Sequence, residues 1–353
     1  MYVHALLLRN FRLFEEAQFS FSPGLNVIQG ANAQGKTSII EALCFLMTGR
    51  SFRTAQTNAL VRQGASHFYL EAEFVKYGIS QLLKIHSNGR ESKLTYNSSP
   101  ISGKGLLGVL QGTVMHPDDV SAIKGPPALR RQILNMQLAQ LDPLYVHYLT
   151  RYEQAMRQRN ALLRAQRTDA IESWEYEMGN AAAYLVQKRA SIISQLEHSG
   201  KGHYAEICRG AEEFSLLYKP HGLSSFEQAG QEEMCQLFCA QYRKQRKREM
   251  ALGITLTGPH KDDFSILLGG QDTRLFASEG QQRSCIAALR LAEWTQLHEA
   301  SKEMPLMLVD DFGIGLDSSR RSALAGHLQC AEQAFITATE PSGIPCETHT
   351  IKL

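Results

Sequence analysis

The chain has 353 residues, 43% hydrophobic and 20% charged, and its net charge of +2 excludes a globally basic nucleic-acid binder, so any basic surface must be local. That length suits two or three domains with a large core, and no apolar run approaches the roughly 20 residues that span a bilayer. The opening Met1-Tyr2-Val3-His4-Ala5-Leu6 lacks a signal-peptide layout, and the seven scattered cysteines read as buried thiols of a reducing, cytoplasmic compartment.

Val3–Leu8, the alternating Phe19 and Phe21, and Leu25–Ile28 predict strands over residues 2–28. Between them lies Asn10-Phe11-Arg12, where Arg12 either reaches a bound nucleotide or is a solvated turn arginine. The last of these strands runs into Gly30-Ala31-Asn32-Ala33-Gln34-Gly35-Lys36-Thr37, which fits G-x-x-x-x-G-K-(S/T) in full. Glycines let the backbone turn so that N–H groups converge on a phosphate. Lys36 adds charge near the β- and γ-phosphates, and the Thr37 hydroxyl is a candidate Mg²⁺ ligand. Ser38 continues into a helix marked by Ile40, Leu43 and Met47, whose N-terminus adds partial positive charge. A nucleoside triphosphate is the expected ligand.

Arg50 and Arg53 lie in a short basic loop after that helix. Phe68, Leu70, Ala72 and Phe74 alternate with His67, Tyr69, Glu71 and Glu73, and Asn88-Gly89 is a hairpin signal, so an antiparallel meander is expected to about residue 115. Beyond Lys124-Gly125-Pro126-Pro127 the pattern turns helical. Leu134, Leu138, Leu141, Tyr145, Tyr148, Tyr152 and Met156 form one apolar seam. A break falls near Gln166–Thr168, Asp169 with Glu172 resembles a capping pair, and Trp174, Met178, Leu185, Ile192 and Leu196 carry the period onward. Two basic clusters sit here, one at Arg151, Arg157, Arg159, Arg164 and Arg167, the other at Arg243–Arg248. Each is either a solvated helix face or a contact to phosphate backbone.

The polar turn Thr257–Asp263 and a strand at Phe264–Leu268 follow. Next come Ser278-Glu279-Gly280-Gln281 opening a helix, then the apolar Pro305–Val309 ending in Asp310-Asp311. An acid delivered beside a phosphate loop by a neighbouring strand is the Walker B arrangement. Asp310 would position Mg²⁺ and Asp311 would polarise the attacking water. A final strand at Ala334–Thr339 is expected to close the sheet. The two halves of the site stand at opposite ends of the chain. The expected α/β architecture is therefore a P-loop ATPase head built from 1–125 and 251–353, with a mixed sheet and an antiparallel β subdomain, and a helical lobe inserted over 126–250.

This split layout resembles the ATP-binding-cassette heads of the SMC class and, within it, the RecF family of bacterial DNA-repair ATPases. The resemblance rests on Asn10-Phe11-Arg12, Gly30–Thr37, the stretch His116-Pro117-Asp118-Asp119-Val120, Lys124–Arg131, Thr257–Asp263, Phe276–Arg283 and Asp310-Asp311, in family order over essentially the whole chain. It implies ATP and Mg²⁺ as cofactors, slow hydrolysis, a homodimer sandwiching two ATP, binding to duplex DNA and gap or single-strand junctions, and RecO- and RecR-type partners in loading RecA. It assigns Ser278, Gly280 and Gln281 to the signature that meets the opposite subunit's γ-phosphate, and Asp317 to the segment packed across the dimer. Arg50, Arg53, Lys124, Arg130 and Arg131 are the candidate DNA contacts. Two departures stand out: Glu279 puts a negative charge inside the signature, and Gly313 and Gly315 are expected to loosen the segment after Walker B. For the Q-loop, Gln111 is one candidate and the Met115–Asp119 region another. A nucleotide-binding subunit of another ABC-type machine is the alternative, disfavoured by the arginine-rich helical insert.

Overall fold

Helix α1 (Lys36–Thr48) is apolar on nearly every side, and it is buried because a sheet covers it on each face. Above it lies a six-stranded antiparallel sheet in the order β2-β1-β4-β5-β6-β7. Its strands are β1 (Tyr2–Phe11), β2 (Phe14–Ser20), β4 (Phe68–Lys76), β5 (Ile79–Ser87), β6 (Ser92–Tyr96) and β7 (Ser99–Ile101). The period-two pattern read from the sequence holds here. Phe68, Leu70, Ala72 and Phe74 are all buried, and Leu8 faces Leu70 while Leu6 faces Ala72 across the β1–β4 pair.

Below α1 lies a wholly parallel sheet of β3 (Gly24–Gln29), β8 (Gly112–Met115), β12 (Leu306–Val309), β13 (Gln333–Ala338) and β14 (His349–Lys352), ordered β14-β3-β13-β12-β8. Its central strands β12 and β13 are buried at every position because both faces are covered. Leu306, Leu308 and Phe335 meet α1 on one face. Val27, Met307, Val309 and Ile336 meet Ala287 and Leu291 of α6 (Glu279–Ser301) and Leu324 and Leu328 of α7 (Ser318–Gln329) on the other. Two expectations change. The meander ends at β7, and β8 instead forms the parallel edge beside the Walker B strand. The strand at 333–338 is not the closing edge; it lies between β12 and β3.

The structure describes residues 1–210, 212–223, 229–339 and 348–353, so Cys346 lies outside the described residues. Two compact units emerge: Met1–Val120 with Ser199–Phe214 and Ala277–Leu353, and Ser121–His198 with Ser215–Phe276. The second unit is thus not 126–250: it also holds β10 (Asp263–Leu268) and β11 (Gln271–Asp272), which form a three-stranded sheet with β9 (Phe214–Lys219).

That unit's helices are α2 (Pro127–Leu141), α3 (Pro143–Arg164), most of α4 (Ile171–Cys208) and α5 (Gln231–Leu252). The single apolar seam expected over Leu134–Met156 is two helices, because Asp142 caps and Pro143 opens α3. Asp169 does not cap α4; its carboxylate is bonded to the Arg167 guanidinium. Much of the first basic cluster is internal or paired. Arg159 is 0% exposed and bonds Glu175, Glu249 and Thr255, and Arg151 pairs with Glu177. In the second cluster Arg246 pairs with Glu175, whereas Arg243, Lys244, Lys247 and Arg248 are exposed.

Candidate nucleotide-binding site

The loop between β3 and α1 is shaped by Gly35, whose φ of +102° is left-handed and where a Cβ would lie 2.6 Å from the Phe14 ring. Ala33 is also left-handed, at φ +67°. Successive turns of this kind direct backbone N–H groups into one concavity. Gln34 Oε1 accepts from the Ala31 N–H at 2.6 Å, fixing the loop's outer arm. Lys36 is 6% exposed, and its Nζ donates to the carbonyls of Gly30 and Ala31 at 2.7 and 2.9 Å, so the ammonium is held over the mouth of the loop. Ala31, Asn32, Ala33 and Gln34 are exposed, while Ser38 is buried at the root of α1.

The parallel register delivers the acid. Val309 pairs with Ile336 and with Met115, which sets Asp310 level with the phosphate loop. Thr37 Oγ1 donates to Asp310 Oδ1 at 2.9 Å, and Thr337 Oγ1 donates to the same oxygen at 2.7 Å. Burial pushes the Asp310 carboxyl above the usual range, the two hydroxyls pull it down, and the Asp311 charge raises it again. Asp311 has a left-handed φ of +53°, and its N–H is held at 2.7 Å by Thr337 Oγ1. Thr337 therefore holds the Asp310 carboxylate and the Asp311 backbone. Sequence reasoning passed it over, although a hydroxyl one residue short of the end of the strand beside Walker B was its signal.

Gln111 is buried at the start of β8, the end of the sheet away from the phosphate loop, so it is not placed as a Q-loop glutamine. The other candidate segment, Met115–Asp119, is at the site: the Asp310 N–H bonds the Met115 carbonyl at 2.8 Å. A cleft there is lined by Met115, His116, Asp310, Asp311, Gly313 and Ile314. His116 is secured by buried Asp119, 3.1 Å from its Nε2, and Asp119 in turn takes Arg290 of α6 at 2.5 and 3.2 Å. Burial alone would raise the Asp119 carboxyl, but Arg290 and His116 outweigh it and hold it far below the usual range. The His116–Val120 motif is thus a clamp between the site and the helix that follows the signature.

Ser278 caps α6 in a reciprocal box: its Oγ accepts from the Gln281 N–H at 3.3 Å, and Gln281 Oε1 accepts from the Ser278 N–H at 2.8 Å. A Cβ at Gly280 would meet Arg320 Nη1 at 2.7 Å. Glu279 is paired at 2.9 Å with Arg283, one turn on, so its charge is locally offset and lies favourably at a helix N-terminus. Gly313 and Gly315 are not simply loosening elements. Both are left-handed, and Cβ atoms there would lie 2.7 Å from Arg321 Nε and 2.3 Å from Arg283 Nε. Asp317 is exposed and caps α7 by accepting from the Arg320 N–H at 2.9 Å.

Three candidate cations are placed otherwise than the sequence suggested. Arg12 bonds the fully buried Glu41 of α1 through Nε at 2.8 Å and Nη2 at 2.6 Å, and the Ala59 carbonyl through Nη1. That bidentate pair makes it a brace of the helix behind the phosphate loop rather than a solvated turn arginine. Arg130 is 2% exposed, bonded to Asp263 and to the carbonyls of Ala122, Ile123 and Gly125, so it does not present a surface charge for DNA. Arg131 is half-buried with one bond to the Asp262 carbonyl. Arg50, Arg53 and Lys124 are exposed.

The layered sheets, phosphate loop, Walker B acids and capped signature helix define an ATP-binding-cassette head of the RecF/RecN/SMC class. The RecF/RecN/SMC N terminal domain model matches residues 2–344. Within that class the chain belongs to the RecF family. It is 45% identical, over 97% of its length and 95% of the relative's, to the DNA replication and repair protein RecF of Protochlamydia amoebophila. It is also similar to solved structures of the recombination mediator protein RecF in the RecFOR pathway. The RecF-ATPrS structure has a TM-score of 0.91 at 26% identity and covers 100% of this chain and 96% of that one. The RecF-ATP structure has a TM-score of 0.90 at 27% identity and covers 98% and 93%.

Proposed function

We propose that this protein is an ATP-dependent DNA-binding switch of recombinational repair and replication. ATP with Mg²⁺ joins two copies on DNA, and slow hydrolysis releases them, supporting RecA loading at single-strand gaps with RecO- and RecR-type partners. The observation that carries the reading is the hydrogen bond between Thr37, which follows the glycine-rich loop, and Asp310, which comes from the other end of the chain. The relatives' names supply the DNA repair role and the nucleotide.

The residues suit Mg²⁺ and a triphosphate. The Thr37 hydroxyl and the Asp310 carboxylate, hydrogen-bonded at 2.9 Å, are two oxygen donors at about the spacing that neighbouring ligands of a hard octahedral cation would take. Bound there, Mg²⁺ neutralises charge between the β- and γ-phosphates. Lys36 exchanges two loop carbonyls for phosphate oxygens. Asp311, turned by its left-handed backbone and tied to Thr337, orients the attacking water. Each chain has one phosphate loop and one signature, so a sandwiched site needs two chains. Slow turnover suits a switch whose bound form does the work, and exposed Arg50, Arg53, Lys124 and the α5 cations are its candidate phosphate contacts.

The test is mass by light scattering with and without ATP·Mg²⁺ and duplex DNA. Dimer mass only with ATP, lost in Lys36→Met, is the expected result. ATP-dependent dimerisation that survives Lys36→Met would place the site elsewhere.

A further inference from the structure

Away from the nucleotide site, α4 and α7 bring two histidines and a carboxylate together. His203 and Glu206 stand three residues apart near the end of α4, on one helix face, and His327 comes from the last turn of α7. One ligand atom from each lies within 4.8 Å of the other two, and among the described residues this is the one such group. The His203 and His327 rings meet edge to face with centroids 5.1 Å apart, and His327 Nε2 is 3.0 Å from Glu206 Oε2.

Hydrogen bonding decides which nitrogen of His203 carries the lone pair. Its Nε2 is 3.0 Å from Thr295 Oγ1. The Thr295 hydroxyl has one proton, which it donates to the Leu291 carbonyl at 3.0 Å. Towards His203 it can therefore only accept, so Nε2 bears the proton and Nδ1 the free pair of the neutral ring. An imidazole whose far nitrogen donates to a fixed oxygen is the usual support of a metal-ligating histidine. Ligands of a tetrahedral site lie about 3.4 Å apart when metal–ligand bonds are about 2.1 Å. The Glu206–His327 pair is near that spacing, and the exposed Glu206 side chain is free to swing inward.

We propose that His203, Glu206 and His327 bind one divalent transition-metal ion of the Zn²⁺ type, with water completing the shell. Two imidazoles and one carboxylate select a borderline ion over Mg²⁺. The ion clips the end of α4 to α7, the helix capped by Asp317 whose Arg320 and Arg321 abut Gly280 and Gly313. The site does not depend on the proposed function.

The experiment uses the full chain without a histidine tag, stripped with EDTA and kept in excess Mg²⁺, titrated with ZnCl₂ by calorimetry and with CoCl₂ by visible absorption. One equivalent should bind, with the ligand-field absorption of nitrogen-ligated Co²⁺. His203→Ala and His327→Ala should each weaken Zn²⁺ binding tenfold or more. Thr295→Val, which touches no ion, should weaken it about tenfold by releasing the His203 ring. Glu206→Gln changes an exposed side chain and keeps the fold, so its loss of affinity reads the site directly. No stoichiometric binding by the wild type, or equal affinity in Glu206→Gln and both alanine variants, would reduce the cluster to a surface His–Glu pair.

Discussion

Thr337 Oγ1 donates to Asp310 Oδ1 at 2.7 Å and accepts from the Asp311 N–H at 2.7 Å, so one hydroxyl fixes the first Walker B carboxylate and the backbone of the second acid. Thr337→Val keeps the strand's shape and removes both bonds. Because it orients groups rather than touching nucleotide, turnover should fall about 10- to 100-fold, with ATP affinity changed far less. Single-turnover hydrolysis beside fluorescent-nucleotide binding separates the two. Equal losses in both would make Thr337 a nucleotide contact.

Asp311→Asn should preserve ATP binding, because the Thr37–Asp310 pair is intact, and should slow hydrolysis so that the ATP-bound dimer persists. Size exclusion at intervals after ATP addition reads the lifetime. Loss of ATP binding instead would give Asp311 a structural role.

Arg12 and Glu41 form a bidentate pair in which the carboxylate is fully buried. Removing the arginine leaves that charge, among the described residues, with Ser51 and the more distant Arg53 as partners. Arg12→Ala should cost about 3 kcal/mol of stability by urea unfolding, and adding Glu41→Gln should restore part of it. Unchanged stability with a large loss of ATP affinity would return Arg12 to the nucleotide.

What the sequence made legible was what local chemistry and periodicity encode. The phosphate loop, the Walker B acids, the capping box at Ser278 and the alternation of β4 are short-range patterns with one structural solution each. What stayed hidden depended on partners distant in the chain. Arg12, Arg130 and Arg159 look like surface cations until Glu41, Asp263 and Glu249 are placed beside them. The same holds for β8, whose four residues match either sheet and whose place is decided by pairing with Leu306–Val309. Gly313 and Gly315 read as slack in one dimension, yet each is required by a left-handed backbone under an arginine side chain.

Phosphate contacts should separate from buried arginines by salt dependence. Arg50→Glu and Lys124→Glu alter exposed side chains, so each should weaken duplex binding alike across sequences and reduce the salt slope by about 1. Arg130→Ala should instead destabilise the protein by about 3 kcal/mol, since Asp263 loses both bonds from Arg130 and keeps the longer pair with Arg274 at 3.7 Å. An unchanged slope in the exposed variants would leave those side chains as solvated charges.

His260 supplies the pH dependence. Burial lowers its imidazole from 6.5 to about 4, and the Thr255 carbonyl at Nε2 offsets only part of that. Nε2 donates to this carbonyl, so Nδ1, 2.6 Å from the Tyr152 hydroxyl, accepts and the ring is held neutral. Lys261 and Arg131 add to the depression, while Asp262 opposes it. The folded value lies below the unfolded one, so the unfolded chain takes up the proton first. Stability is therefore complete above pH 6.5 and drains away as the pH falls towards 4, at about 1.4 kcal/mol per pH unit from this residue. His203, also lowered to about 4 by burial, and His327 act in the same direction. Asp272, held down to about 2 chiefly by Arg274, loses its contribution only at lower pH. His260→Gln retains a donor and an acceptor without the titration. Urea unfolding of the two proteins between pH 7 and 4.5 should give a shallower pH slope for the variant, by about one proton; parallel curves would mean that His260 is already charged in the folded protein.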